Sequence, residues 1–296
     1  MSGELPKEIG NFVRLKRLSL EGNKFSGHIP QSLGYNLSDL LILDLSRNTL
    51  TGPLPPSLGS LTSLLKLDLS SNRLDGRLPR ELGAMKNLTL LDLRSNNLSG
   101  GLGQSLQEMA SLQDLLLANN PNFGGNLMEF EFGRLINLSN LDLSKTGLSG
   151  VIPDSVAKLN KLRFLALDNN RLSGSVPTKL EALPSLCALH LNSNNLRGEL
   201  EFSEEFYGRM GRRFACWNNP NLCYRARSNA PLGVNECSGE KKDYVLNSNN
   251  KTGEESTGED SGFTASFGLS DNLVGGFWGV ILVQEMVVVF LLVLFL

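Results

Sequence analysis

Leucines in the pattern Leu-x-Leu recur along most of the chain, at Leu18/Leu20, Leu43/Leu45, Leu67/Leu69, Leu91/Leu93, Leu115/Leu117, Leu141/Leu143, Leu165/Leu167 and Leu189/Leu191. A spacing of two puts both leucines of a pair on one face of a strand and the residue between them on the other. Around the pairs the sequence repeats itself: LDLSRNTLTGPLP (43–55), LDLSSNRLDGRLP (67–79), LDLRSNNLSGGLG (91–103) and LDLSKTGLSGVIP (141–153), the first three starting 24 residues apart. Self-similarity at a fixed period of this size predicts a solenoid, here of eight units. One coil is too thin to bury its own leucines, but stacked coils share one continuous core. The short strands then lie side by side as a parallel sheet on a concave face.

The polar positions are equally regular. Asn23, Asn48, Asn72, Asn96, Asn120, Asn170 and Asn194 follow the leucine pairs, with Thr146 standing in once. An amide turned inward there bonds the backbone where the strand turns off, satisfying groups that would otherwise be buried without partners. The Gly of each LxGxIP stretch permits a close turn, and its Pro suits an irregular edge. These residues read as structural, which leaves the outward positions beside each leucine for function. Between the paired leucines they run Ser19, Asp44, Asp68, Asp92, Leu116, Asp142, Ala166, His190. The row in front of the pairs has two possible counts: one ending on Arg163 and Cys187, or one residue nearer, through Leu90, Asp114, Asn140, Phe164 and Ala188. The aspartates suit a solvated face. The break at Leu116, Phe164 and Ala166 places apolar side chains on a polar sheet, which suits a peptide contact. Leu90, Leu116, Asp142, Phe164, Ala166 and His190 are therefore the candidate ligand contacts. Two units are irregular: the fifth, LLLANNPNFGGNL (115–127), carries an extra residue after Asn120, and the second carries one near 34–36. Insertions in a solenoid map to loops.

Charge and chemistry add exclusions. A net charge of −2 gives no electrostatic ground for nucleic-acid binding. His28 and His190 are the two imidazoles, and neither CxxC nor HExxH occurs, so no metal or cofactor is expected. Kinase signatures are missing. A Ser-His-Asp reading around His190 rests only on neighbours that any such sheet supplies. The chain reads as a non-enzyme.

The 24-residue template with LxGxIP resembles the plant-specific class of leucine-rich repeats over residues 3–200. EFSEEFYGRMGRRFACWNNPNLCY (201–224) and GVNEC (233–237) resemble the C-terminal cap of plant receptor-like proteins related to Piriformospora indica-insensitive protein 2. The resemblance implies an α/β repeat fold, a leucine-rich-repeat solenoid closed by a cap at 201–237. It also implies a cell-surface protein without a kinase that binds a peptide or protein ligand and signals through a co-receptor kinase, in a family associated with responses to root-colonising fungi. Similar solenoids bind cell-wall enzymes, so a wall-structural or inhibitory protein is the alternative. The cap also follows from physics, because a solenoid end needs a polar lid. Residues 202–213 suit a short amphipathic helix, with Phe214 and Trp217 covering the last coil. By resemblance Cys223 and Cys237 form a disulfide, although four cysteines allow three pairings and sequence alone selects none. Cys187, among core leucines, is expected as a buried free thiol; Cys216 stays open.

Both ends depart from the repeat. The chain opens MSGELPKEIGNFVRL, which matches the second half of a unit, with no signal-peptide pattern. That predicts an N-terminally truncated version with a raw first coil. Residues 238–272 are polar and acidic and read as a disordered stalk. Residues 273–296 are long and apolar enough for a transmembrane helix, interrupted by Gln284 and Glu285. The small residues Asp260, Ser261 and Gly262 ahead of that tail equally suit a GPI signal, and the two anchors stand side by side. Either would tie the chain to the extracellular face of the plasma membrane. Sequons at Asn36, Asn87, Asn97, Asn137 and Asn250 are glycosylation candidates.

Overall fold

The computed structural model describes residues 1–225 and 231–237. The Leu-x-Leu stretches form short parallel strands: Arg17–Ser19, Ile42–Asp44, Lys66–Asp68, Leu90–Asp92, Asp114–Leu116, Asn140–Asp142, Phe164–Ala166 and Ala188–His190, followed by Phe214–Ala215. Nine strands thus build one continuous sheet, one more than the leucine pairs number. We number the coils 1 to 9 by these strands. From coil 2 to coil 8 both leucines of each pair are buried, whereas Leu18 and Leu20 of coil 1 are half-buried and Phe12 and Val13 beside them are exposed.

The asparagine ladder is what joins one coil to the next. Asn96 donates from Nδ2 to the carbonyls of Leu69 (3.0 Å) and Leu93 (3.1 Å), and its Oδ1 accepts from the Leu74 N–H (3.0 Å). One side chain thereby bonds its own coil and reaches back to two points of the coil before it. Asn48, Asn72, Asn120, Asn170 and Asn194 repeat the arrangement. The N–H it captures lies in the return strand of the preceding coil, or just before it for Leu148, and these strands form a second sheet. Its first ribbon is Ser2–Glu4, Lys24–Gly27, Thr49–Pro53, Arg73–Arg77 and Asn97–Ser99; its second is Ser149–Val151, Arg171–Gly174, Asn195–Leu200, Asn221–Tyr224 and Asn235–Glu236.

The gap between the ribbons falls at coil 5, which keeps only the bridge between Asn126 and Ser149. Its physical cause is one coil further on. The ladder residue that should hold coil 5 is Thr146, whose hydroxyl is spent on Leu143 O (2.6 Å) and Asn170 Oδ1 (3.0 Å) and offers no amide oxygen to the return segment. The extra residue in coil 5 fits the same place: Gly124 bonds Thr146 through its backbone instead. On the convex side most coils make a 3-10 turn. Coil 2, with its extra residue, makes the α-helix Gln31–Asn36. These turns stack tightly, and a Cβ at Gly59 would meet the Glu81 carbonyl oxygen at 2.2 Å.

The C-terminal end corrects three expectations. Residues 214–222 form a ninth coil, not a covering segment. Phe214 pairs with Leu189, Cys216 takes a buried leucine position, and Asn219 bonds Leu191 O and Leu196 N as a ladder residue. Even the left-handed residue before each ladder asparagine recurs, as Ser193 (φ 57°) and Asn218 (φ 55°). Trp217, expected to cover the last coil, is 42% exposed; Phe214 fills the core in its place. Cys187, expected to be buried, is an exposed free thiol, and the buried one is Cys216, whose thiol burial pushes up to about 12. The reason for Cys187 is a bulge at each strand entrance: Cys187 N–H and Ala188 N–H both bond Arg163 O, which tips residue 187 outward.

The helix Glu204–Met210, capped by Ser203 on Phe206 N–H, occupies the convex side of coil 9 and buries Phe206, Tyr207 and Met210. Cys223 and Cys237 are joined by a disulfide, which ties Asn235–Glu236 to the edge of the second sheet. Among the described residues no helix is long and apolar enough to cross a membrane. The stalk, the transmembrane or GPI segment, Asn250, Asp260 and Ser261 lie outside the described residues.

Candidate functional site

The bulge settles which rows line the concave sheet. Counting from the buried strand leucine, they are the residues just before it, just after it and three after it. In coils 2 to 4 the position just after is Asp44, Asp68 and Asp92, adjacent across the strands. Their first task is local. Asp44 accepts from the Ser46 N–H (3.0 Å) and hydroxyl (2.7 Å), and Asp68 and Asp142 hold Ser70 and Ser144 the same way. Asp92, almost fully buried, takes a forked bond from Arg94 with Nη2 at 2.6 Å. That bond raises the already high pKa of Arg94, ahead of the opposing effect of burial. Burial pushes the Asp68 carboxyl up against its bonds from Ser70, and the charges of Asp92 and Asp44 push it further.

Coils 5, 7 and 8 lose the aspartate, and there Leu116, Ala166 and His190 take its place. The strand register puts Leu116, Asp142, Ala166 and His190 side by side in one row, and Leu90, Asp114, Asn140 and Phe164 in the next. Phe164 and His190 sit diagonally and meet edge to face, with ring centroids 5.4 Å apart. The other two corners of that square are Ala166 and Ala188, small enough to let the rings approach. Ala166 is only 2% exposed, so it is a floor beneath the rings and not a contact in its own right. Leu90 is set apart from Phe164 by Asp114 and Asn140, which bond each other at 2.5 Å.

The ninth coil adds residues that the sequence reading missed. Ala215 continues the row beyond His190, Arg213 lies beside Ala188, and Trp217 stands at the third position. Arg213 is bonded to the carbonyls of Arg209 and Met210 and closes the helix end. The signal was available: FACWNNPNL carries the ladder asparagine, but Phe and Cys replace the leucines. Of the sequons, Asn87 and Asn137 spend their amide nitrogens on Thr62 O and Ala110 O, each 2.9 Å. Asn36 and Asn97 are exposed.

Models of the leucine rich repeat family match residues 13–74, 136–196 and 87–109. Over 75 residues the chain is 54% identical to Piriformospora indica-insensitive protein 2 of Arabidopsis thaliana, covering 22% of this chain and 18% of that protein. The chain carries leucine-rich repeats similar to those of plant receptor-like proteins. Its described coils superimpose on the ectodomain of the Arabidopsis receptor kinase HAESA, solved with an N-terminally extended IDA peptide hormone. The TM-score is 0.68 at 32% identity, over 76% of this chain and 37% of that one. The plant peptide hormone receptor RGFR1, solved in complex with RGF2, gives a TM-score of 0.68 at 31% identity, over 75% and 35%. The chain spans well under half the length of these relatives.

Proposed function

We propose that this receptor-like protein is a non-enzymatic recognition module at the plant cell surface. It binds a peptide or protein ligand on the concave face and works through a co-receptor kinase, in microbe response among other settings. The repeats of 1–200, the cap of 201–237 and a C-terminal segment anchored by a membrane helix or a GPI group divide the labour. The observation that carries the reading is the change of the concave face at coils 5 to 9. An aspartate ladder engaged in its own turns gives way to Leu116, Phe164, His190 and Trp217, none of which a solenoid needs for stacking. An apolar, aromatic patch on a polar sheet is the surface a binding partner covers. The relatives solved with RGF2 and with an IDA peptide hormone share the coil geometry and support a ligand of the same kind.

Topology is the decisive test. The native protein is extracted from its tissue and treated with peptide N-glycosidase. A downward shift in mobility places the coils in the secretory lumen, as a surface receptor requires. An unchanged band at the mass of the bare chain would place them in the cytosol and refute the reading.

A further inference from the structure

From coil 4 to coil 9 the large apolar and aromatic residues of the three concave rows are arranged as two parallel diagonals. Leu90 of coil 4 and Leu116 of coil 5 form the first. Phe164 of coil 7, His190 of coil 8 and Trp217 of coil 9 form the second, with the same slope of one coil per two residues. Between them the three outward rows of coils 5 to 7 hold Asp114, Asp142 and Asp168, with Arg163 exposed at the entrance of the coil 7 strand. Asp142 gives only one carboxylate oxygen to Ser144.

We propose that the ligand is an extended peptide segment with two apolar side chains four residues apart and a basic residue midway between them. The inference rests on the concave-face reading and deepens it. The diagonals are three coils apart, and strands spaced by about 4.8 Å make that about 14 Å. An extended chain advances about 3.3 Å per residue, so four residues span about 13 Å and return the side chain to the same face. The residue halfway, pointing the same way, falls over coils 5 and 6 for the Leu90–Phe164 pair and over coils 6 and 7 for the Leu116–His190 pair, where Asp114 and Asp142, or Asp142 and Asp168, supply negative charge. The order apolar, spacer, basic, spacer, apolar is thus set by strand spacing and charge together.

The probe is a library of short random peptides, displayed on phage and panned against the full chain. The expected outcome is enrichment of that five-residue pattern. Leu116→Asp and Phe164→Asp, made separately, should each weaken the selected peptides at least about ten-fold, while Asn195→Ala on the second sheet leaves them unchanged. Asp142→Lys should move the preferred central residue from basic to acidic. Peptides that need Leu116 and Phe164 but lack the spacing or the basic centre overturn the inference and leave the concave-face reading standing. Peptides indifferent to both substitutions, or no enriched peptide, count against both.

Discussion

Replacing Asn96 with alanine tests the ladder at one rung. Its side chain serves three buried backbone groups, but they do not depend on it equally. Leu69 O also accepts from Asn72 (3.1 Å), and Leu93 O also accepts from Asn120 (3.0 Å), so each keeps one partner. Leu74 N–H has Asn96 Oδ1 as its side-chain acceptor, and Leu74 is fully buried. An orphaned buried donor costs about 1–3 kcal/mol and each lost second bond about 0.5–1 kcal/mol, for a total of about 2–5 kcal/mol. The assay is urea denaturation of the wild type and the variant, followed by far-ultraviolet circular dichroism. Asn195→Ala, an exposed change, serves as the control and should stay within about 0.5 kcal/mol of wild type. A loss for Asn96→Ala no larger than the control's would refute the claim that these amides hold the coils together. The hydrogen-exchange footprint should also be directional. Protection should fall in Arg73–Arg77, the return strand that Asn96 holds, more than in Asn97–Ser99 of its own coil.

Three further outcomes follow from the geometry. Alkylation of the native protein at pH 8 should label Cys187 and spare Cys216, whose buried thiol is pushed to about 12; equal labelling would contradict the ninth coil. Removing the Cys223–Cys237 disulfide with a double serine variant should cost about 3 kcal/mol for a loop of this length and expose Asn221–Tyr224 to exchange; an unchanged melting curve would show the cap holds without it. Asp68 has its folded pKa raised, so the folded state binds more protons above the unfolded value, and stability falls as pH rises through that window. Asp68→Asn, which keeps an acceptor for Ser70, should therefore be more stable than wild type at pH 7 and lose that advantage below about pH 4. A constant difference across pH would refute this.

Much of the fold was legible because the same residue does the same work in each coil. Leu43/Leu45 and Leu91/Leu93 announce their strands, and Asn48, Asn72 and Asn96 announce the turns that follow. The reading failed where the chemistry was kept but the residue changed. Coil 9 buries Phe214 and Cys216 where leucines stand elsewhere, so a leucine pattern ends one coil early. Cys187 was misplaced because simple alternation puts it on the face of Leu189, while the bulge on Arg163 O reverses it. The interrupted second sheet was visible as Thr146 in the ladder, but its effect appears a coil earlier, which no local rule foresees. In the candidate site, Leu116, Phe164 and His190 stood out as departures from the aspartate row. Trp217 did not, because its coil went unrecognised.

The backward reach of the asparagines also bears on biosynthesis. Each rung completes the coil before its own, so a coil emerging from the ribosome has its return strand unpinned until the next asparagine, about 24 residues later, has been made. Folding during synthesis must therefore trail elongation by one repeat. Among the described residues coil 9 has no ladder asparagine after it, and its return strand is fastened instead by Cys237, through a bond that needs an oxidising compartment. Closing this coil passes from translation to redox chemistry.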